Sequence, residues 1–461
     1  MIKKQYKPSY YNFFKEYDNG RLVIYNTKTG AVDVVEKTDS AKVKEILNNK
    51  TILNFENNDL CIQMSKQGYI VDVNESEVQE IIDWNKSANN MEHVGYITIL
   101  PTETCNFACP YCFIYTFRDK HMTEETLNSC LKYCVNFFEK NKNRKEGSYL
   151  EISWFGGEPL IAGNKIVEFM TEIRKINKSY PHTTVESGIV TNGYLLNYNL
   201  FKELINVGVN RIQITLDGDA ENHDKLRTLK SGAPTFDVIY GNLLEIASQT
   251  HHDEDFVITL RGNFLRSSIE NCRKLLSMFK RDFAHDSRFR IYFRPVYNFE
   301  TDRNDIDSID SDICGIEEGI KLQNELAFSS LDGTQNTLEK ISNPLPQPTY
   351  SWCTSIYKNS HIIGYDGSVF SCDTMIVDKE KAIGKINNKG EIILNENANF
   401  WKKSIFEDHE IFGEIVKKCL ECRFLPICMG GCNRARLVSG MNPCYWTEEI
   451  IYDAMKEYSE I

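Results

Sequence analysis

The chain has 461 residues, 41% hydrophobic, 26% charged and 11% aromatic, which excludes a disordered or fibrous protein. That length suits about two to four globular domains. A net charge of -12 argues against a dedicated nucleic-acid binder, because binding to phosphates is driven by Lys and Arg. No apolar run reaches the roughly 18 residues of a membrane-spanning helix. Met1 to Lys15 mixes Lys, Tyr, Pro and Asn where a secretory peptide carries an apolar block, so a cytoplasmic protein without a membrane partner is expected. The 15 cysteines are the anomaly. Without an export signal they do not read as a disulfide framework, which leaves metal or cluster ligation as the leading explanation.

In chain order, Arg21 to Tyr25 and Ala31 to Val35 read as strands around a turn at Asn26 to Gly30. Ser40 then caps a helix carrying Val43, Ile46 and Leu47 on one face. Leu60, Ile62 and Met64 mark a second helix, Tyr69 to Val71 a further strand, and the polar run Asn85 to His93 a linker. Residues 1–92 thus form a small α+β unit. From Gly95 onward strands alternate with helical patterns, the signature of a parallel α/β arrangement. Six strands are expected: Tyr96 to Leu100, Leu150 to Trp154, Val185 to Val190, Arg211 to Leu216, Phe256 to Arg261 and Arg290 to Arg294. They suit a complete or partial barrel over residues 93–300. A helix from about Thr123 repeats Leu127, Cys130, Leu131, Cys134, Phe137 and Phe138 at helical spacing, so Cys130 and Cys134 read as small core residues rather than ligands. A bridging segment, 301–350, follows. Its acidic run Glu300 to Glu318 reads as a solvated face, and Pro344, Pro346 and Pro348 as a stiff linker. Residues 351–461 are dominated by cysteine.

In parallel barrels the chemistry sits on loops at the carboxyl ends of strands. Here those loops carry the Cys105 cluster, Gly156-Gly157-Glu158-Pro159, Thr191-Asn192-Gly193, Asp217-Gly218, Gly262-Asn263 and Pro295. Cys105, Cys109 and Cys112 lie in Cys-Asn-Phe-Ala-Cys-Pro-Tyr-Cys. Three thiolates together repel unless a metal neutralises them. Thiolate sulfur suits zinc or an iron-sulfur cluster, and a 4Fe-4S cube held by three cysteines leaves one iron open.

At these residues the sequence resembles the radical SAM superfamily, whose three-cysteine loop follows the first strand of a partial (β/α)6 barrel. The resemblance implies that the open iron is chelated by S-adenosylmethionine. One electron then cleaves the sulfonium bond to give methionine and a 5′-deoxyadenosyl radical that abstracts a substrate hydrogen. It also implies that Gly156, Gly157, Glu158 and Pro159 bind the methionine amino group and that Thr215 and Arg227 contact the ribose and carboxylate. Asn192 lies on the same rim, and Tyr111 offers a ring against which the adenine packs. Independently, Gly156 and Gly157 allow close backbone approach to a ligand. Each of Thr215, Arg227 and Asn192 alone also reads as a strand residue, a surface charge or a turn former.

Cys353, Gly367, Cys372, Cys419, Cys422, Cys428, Cys432 and Cys444 follow a second pattern, its dense part with gaps of two, five and three residues. It resembles the seven-cysteine SPASM domain of radical SAM enzymes that modify peptides and proteins. The resemblance implies two auxiliary 4Fe-4S clusters, three in all: an outer one on Cys419, Cys422, Cys428 and Cys444 and an inner one on Cys353, Cys372 and Cys432. Seven thiolates are one short for two cubes. Cys314, a non-cysteine ligand or an iron open to a substrate thiol are the alternatives, and a pair of zinc knuckles is the alternative for the whole field. Asp373 sits where sulfatase-maturing relatives place an acidic residue proposed to take a proton during oxidation; it reads equally as a hydrogen-bond acceptor at a hairpin end. The order of elements in residues 1–92 resembles the winged helix-turn-helix recognition element that grips the leader of a ribosomal precursor peptide by strand addition; a structural cap on the barrel is the plainer reading. The expectation is a peptide maturase that forms a thioether or other side-chain crosslink, served by a reducing partner such as flavodoxin or ferredoxin. An anaerobic sulfatase-maturing enzyme producing formylglycine is the alternative, and a zinc or ferredoxin-like binding module a remote one.

Overall fold

The computed structural model describes residues 5–49, 59–114, 119–298, 304–330, 345–407, 409–437 and 444–461. Glu300 and Asp302 of the acidic run and Pro344 of the proline linker lie outside the described residues. The chain opens with β1 (Tyr6–Pro8), β2 (Asn12–Glu16), β3 (Leu22–Asn26) and β4 (Val32–Val35). These are followed by α1 (Lys37–Asn48), α2 (Asp59–Lys66), β5 (Ile70–Asp72) and α3 (Glu77–Asn89). β2, β3 and β4 make an antiparallel sheet and β1 pairs antiparallel with β5. The turn between β3 and β4 closes through Gly30 N donating to Asn26 O at 2.8 Å, with Gly30 at φ 74°. Two strands here were not anticipated, and two local expectations fail. The short strands β1 and β2 lack a period-two pattern and exist through their partners. The cap of α1 is Glu36, one turn earlier than Ser40, which is buried inside the helix and donates to Glu16 Oε2 at 3.4 Å. The polar run from Asn85 is helical to Asn89, where the buried amide donors find acceptors: Asn89 Nδ2 donates to Asn85 Oδ1 at 3.0 Å, and Asn85 Nδ2 to Tyr350 O at 2.7 Å.

The second region is a sheet of parallel strands in strict sequence order. It comprises β6 (Val94–Ile99), α4 (Glu124–Asn141), β7 (Ser148–Trp154), α5 (Gly163–Asn177), β8 (Thr183–Thr191), α6 (Tyr198–Asn206), β9 (Val209–Thr215), α7 (Ala220–Leu226), α8 (Phe236–Gln249), β10 (Val257–Phe264), α9 (Ile269–Asp282), β11 (Phe289–Pro295) and α10 (Ile316–Ser330). All six expected strands are present, with ends moved by up to three residues. This is a mixed α/β fold built as a partial TIM-type barrel. On β7, Leu150, Ile152 and Trp154 are fully buried, and Trp154 meets Phe169 of α5 edge-on. The alternate residues Tyr149 and Glu151 join Glu186 and Arg211 in a polar network. That alternation is the period of two expected of a strand with one face under helices and the other toward a polar interior. Cys130 and Cys134 are fully buried on α4, whose cap Thr123 accepts from Thr126 N at 3.2 Å. The acidic run is more than a solvated face, since Asp312 accepts from Ser267 N at 2.9 Å and Glu318 pairs with Arg266 at 2.7 Å.

The sheet continues beyond the barrel. β12 (Ser360–Ile363) pairs parallel with β6, and β13 (Ser368–Phe370), β14 (Gly384–Ile386) and β15 (Ile392–Leu394) follow antiparallel. Gly367 lies in the turn of the β12–β13 hairpin, at φ 79°. A short helix, α11 (Asn397–Trp401), precedes α12 (His409–Leu420), α13 (Leu425–Cys428), α14 (Asn433–Leu437) and α15 (Glu448–Ser459).

Packing divides the chain into two compact units: residues 1–90, 331–357 and 403–461 in one, 91–330 and 358–402 in the other. In the first unit β3 is buried on both faces. Leu22 and Ile24 pack with Val43, Ile46, Cys61 and Met64, whereas Val23 and Tyr25, with Phe13 of β2, pack against Leu345, Ile427, Ile451, Ala454 and Met455. Tyr11 and Ile81 join Ile405, Phe406, Val416 and Leu425 in a further core. The chain's opening module and its cysteine-bearing helices thus share one hydrophobic interior.

Candidate active site and cysteine fields

The loop after β6 is fastened along its length. Glu103 N donates to Lys120 O at 3.0 Å and Met122 N to Pro101 O at 2.8 Å, closing the base. Farther out, Ala108 N donates to Thr228 O at 3.0 Å and Lys230 N to Asn106 O at 2.9 Å, so the loop is laced to the segment that carries Arg227. Cys105 and Cys109 are buried and Cys112 is half-buried. Burial pushes both Cys105 and Cys109 up to about 12; the Glu158 carboxylate and the other two thiols add to the shift at Cys105, and at Cys109 the Arg227 guanidinium opposes it. Each thiolate disfavours the ionisation of the next, so all three ionise together only around a cationic centre. Among the described residues no group of three or more His, Cys, Asp or Glu side chains stands close enough to hold a single metal ion. Three thiols within electrostatic reach of one another are the donor set that suits a cluster, whose several metal atoms set its ligands farther apart.

The Gly156–Pro159 segment is stitched to that loop. Gly157 N donates to Thr102 O at 3.0 Å and Glu158 N to Thr104 O at 2.9 Å. A Cβ at Gly156, where φ is 127°, would stand 2.3 Å from Thr102 O, and one at Gly157 2.3 Å from Thr104 O, so both positions require glycine. Glu158 is fully buried and faces inward. Its carboxylate accepts from Leu160 N at 2.9 Å, Thr191 Oγ1 at 2.6 Å and Asn192 N at 2.7 Å, and burial raises its pKa against those bonds. Pro159 opens the short turn that this carboxylate caps. Asn192 carries the link onward, donating through Nδ2 to Asn106 Oδ1 at 2.7 Å and lying 3.9 Å from Cys105 Sγ.

A second buried network surrounds Tyr111. Its hydroxyl donates to Asp217 Oδ2 and accepts from Arg227 Nη1 at 2.7 Å. Asp217, fully buried, also accepts from Asn263 N at 3.2 Å and lies 4.0 Å from Arg227. His223 is buried too, accepting from Asp217 N at 3.2 Å through Nδ1; burial and the nearby Arg227 hold it well below its ordinary pKa, hence neutral. Arg227 packs over the Phe107 ring at 5.7 Å, and Thr215, the last residue of β9, is buried two positions before Asp217. Asp217 and Asn263 were legible only as loop residues; Asp217 stands in the same Ile-Thr-Leu-Asp-Gly run as Thr215. Asp373 lies in a recess: its side chain meets solvent, yet surrounding protein raises its carboxyl pKa, opposed by Cys372 3.7 Å away and by Arg261. Arg261 in turn donates to Asn263 Oδ1 at 2.9 Å.

In the first unit, Cys419, Cys422, Cys428 and Cys444 come together. Burial raises the first three, Cys428 to about 12, and mutual charge couples Cys419 to Cys422 and Cys444, Cys428 to Cys419 and Cys422, and Cys422 to Cys444. Cys353 opens on a small cleft lined by Trp352, Met429, Gly431 and Asn433 in the same unit. Cys432 belongs to that unit and Cys372 to the other.

Residues 99–259 match the family model described as the radical SAM superfamily. The chain is 24% identical over 351 residues to the cysteine-type anaerobic sulfatase-maturating enzyme of Clostridium perfringens, covering 72% of this chain and 86% of that one. It is 25% identical over 214 residues to the radical SAM cyclopropyl synthase TigE of Paramaledivibacter caminithermalis, covering 41% and 43%. Among solved structures, native anSMEcpe with bound AdoMet and Cp18Cys peptide aligns at a TM-score of 0.51 and 19% identity, over 80% of this chain and 96% of that one. This likeness shows the shared fold. Residues 99–259 thus form a radical SAM domain, and the chain is similar to the anaerobic sulfatase-maturating enzymes along most of their length.

Proposed function

Starting from a radical SAM enzyme, we propose that this one oxidatively modifies a ribosomally made precursor peptide, joining a cysteine sulfur or another side chain to a substrate carbon. The observation that carries the reading is the first unit, in which a folded sheet-and-helix module at residues 1–90 shares its core with the segment bearing Cys419, Cys422, Cys428 and Cys444. In this reading the edge strand β4 receives the leader peptide by strand addition. When bound, a 4Fe-4S cluster on Cys105, Cys109 and Cys112 supplies the electron that cleaves S-adenosylmethionine to methionine and a 5′-deoxyadenosyl radical. The chain's own residues do the rest. Gly156, Gly157 and Pro159 shape a cradle for the methionine amino group, and Glu158 holds that cradle to Asn192. Thr215 and Arg227 face the ribose and carboxylate, with Tyr111 beside the adenine and Asp217 fixing Tyr111 and Arg227. Cys353, Cys372, Cys419, Cys422, Cys428, Cys432 and Cys444 would hold two auxiliary clusters, whose chemistry would be to accept electrons as the substrate is oxidised. Asp373 accepts the proton lost in that step. A flavodoxin or ferredoxin serves as reductant, and the reaction belongs in the cytoplasm.

Formylglycine formation is the second reading, favoured by the alignment to the C. perfringens enzyme along 86% of its length. Anaerobic incubation with S-adenosylmethionine, dithionite and the peptide encoded nearest the gene separates the two. Release of 5′-deoxyadenosine with loss of two hydrogens from the peptide, sulfur retained, supports crosslinking. Conversion of a sulfatase peptide with loss of cysteine sulfur and no change in the precursor peptide replaces that reading with the second.

A further inference from the structure

Four thiols of the C-terminal field act electrostatically on one buried cation. Arg436 is buried and lies within electrostatic reach of Cys419, Cys428, Cys432 and Cys444; burial disfavours its charge and those thiols favour it. The chain builds its seat. After Cys428 closes α13, Met429, Gly430 and Gly431 take φ of 46°, 82° and 74°, three left-handed residues in succession. Met429 is the only residue other than glycine with positive φ among the described residues, and it adopts a conformation strained for its side chain. The turn returns the chain so that Arg436 N donates to Cys432 O at 3.3 Å, one helical turn onward. Side chains on a helix lean toward its N-terminus, which carries the guanidinium back over the turn. A Cβ at Gly430 would stand 2.5 Å from Nη2 and 3.0 Å from Nη1 of Arg436, so a glycine there makes room for the cation.

We propose that Arg436 is the built-in counter-charge of the cluster on Cys419, Cys422, Cys428 and Cys444 and raises its reduction potential. The inference rests on reading those cysteines as cluster ligands. A cluster gains one negative charge on reduction, so a fixed cation in a desolvated site stabilises the reduced form more than the oxidised one. Guanidinium suits the role because it keeps its charge when buried and spreads it over a plane.

The test is an EPR-monitored redox titration of the full-length, anaerobically reconstituted protein, with the signal assigned by its absence from Cys419→Ala. In Arg436→Gln, with iron and sulfide content unchanged, the ratio of reduced to oxidised cluster at fixed potential falls about tenfold or more. For one electron tenfold is about 59 mV. Arg436→Lys keeps the charge and stays near wild type. An unshifted potential in Arg436→Gln overturns the proposal. If Arg436→Gln loses the cluster, its retention in Arg436→Lys supports the requirement for charge, whereas loss from both variants makes Arg436 a packing residue and overturns it. A wild-type protein with iron-sulfur signals only from the Cys105 loop overturns the cluster reading and this inference together, and iron counting distinguishes that outcome from an unmoved potential.

Discussion

The two cysteine fields hold their thiols by different means. In the barrel, Cys105 and Cys109 sit on a loop laced by main-chain bonds to Gly157, Lys120 and Thr228, and the nearby cation, Arg227, is already engaged by Tyr111 and Asp217. In the C-terminal field, short helices and a left-handed turn gather four thiols around Arg436. At the barrel loop the cation is engaged by neighbouring side chains, and in the proposed function a cluster on the three thiols would keep one position for a cosubstrate; in the other field the cation acts on the thiols themselves. One arrangement suits chemistry at an open metal, the other storage of an electron.

Single substitutions can break that contrast. Cys109→Ala is expected to abolish 5′-deoxyadenosine release and remove about four irons per chain. Cys428→Ala should leave 5′-deoxyadenosine release within severalfold of wild type while product formation is lost; equal loss of both activities in both variants would erase the distinction. Asp217→Ala leaves buried Arg227 without its counter-charge and Tyr111 without its acceptor, and a cost of about 3 kcal/mol or more is expected in denaturant unfolding, with weaker S-adenosylmethionine binding by calorimetry. Asp286 tests the scaffold apart from the site. It accepts from Arg288 at 2.6 Å, which holds its carboxyl below the ordinary range. Its contribution is present above the unfolded carboxylate pKa of about 4 and lost as pH falls through the depressed folded value. Asp286→Asn should therefore cost about 2 kcal/mol at neutral pH and flatten that acid limb, without altering cosubstrate affinity. Smallest, Thr123→Ala removes the cap of α4 and is expected to cost about 1 kcal/mol in thermal unfolding.

The barrel was legible because its signals are local and repeated: six apolar strands at regular spacing, each followed by a loop of unusual residues. The functional partnerships were less so. Glu158 is visible in the sequence as a carboxylate beside two glycines, but that it turns inward to Thr191 and Asn192 depends on two strands lying side by side. Asp217 had no periodicity to announce it and gains its meaning from Tyr111, 106 residues earlier. Asn85 misled because polarity reads as exposure, whereas its amide is satisfied by Tyr350 O, far along the chain. Nothing in the sequence singles out Arg436, whose place depends on the turn at Met429 to Gly431.

The two-sided burial of β3 has a consequence for biogenesis. Leu22 and Ile24 find their cover within the first 70 residues, but Phe13, Val23 and Tyr25 wait for Ile427, Ile451 and Met455. A nascent chain emerging at about 5–20 residues per second presents that aromatic face uncovered for tens of seconds while the barrel is made. The earliest part of the protein to be synthesised is thus among the last to be finished, and a chaperone's hold on it, or its release by the arriving C-terminus, becomes a step in making the enzyme.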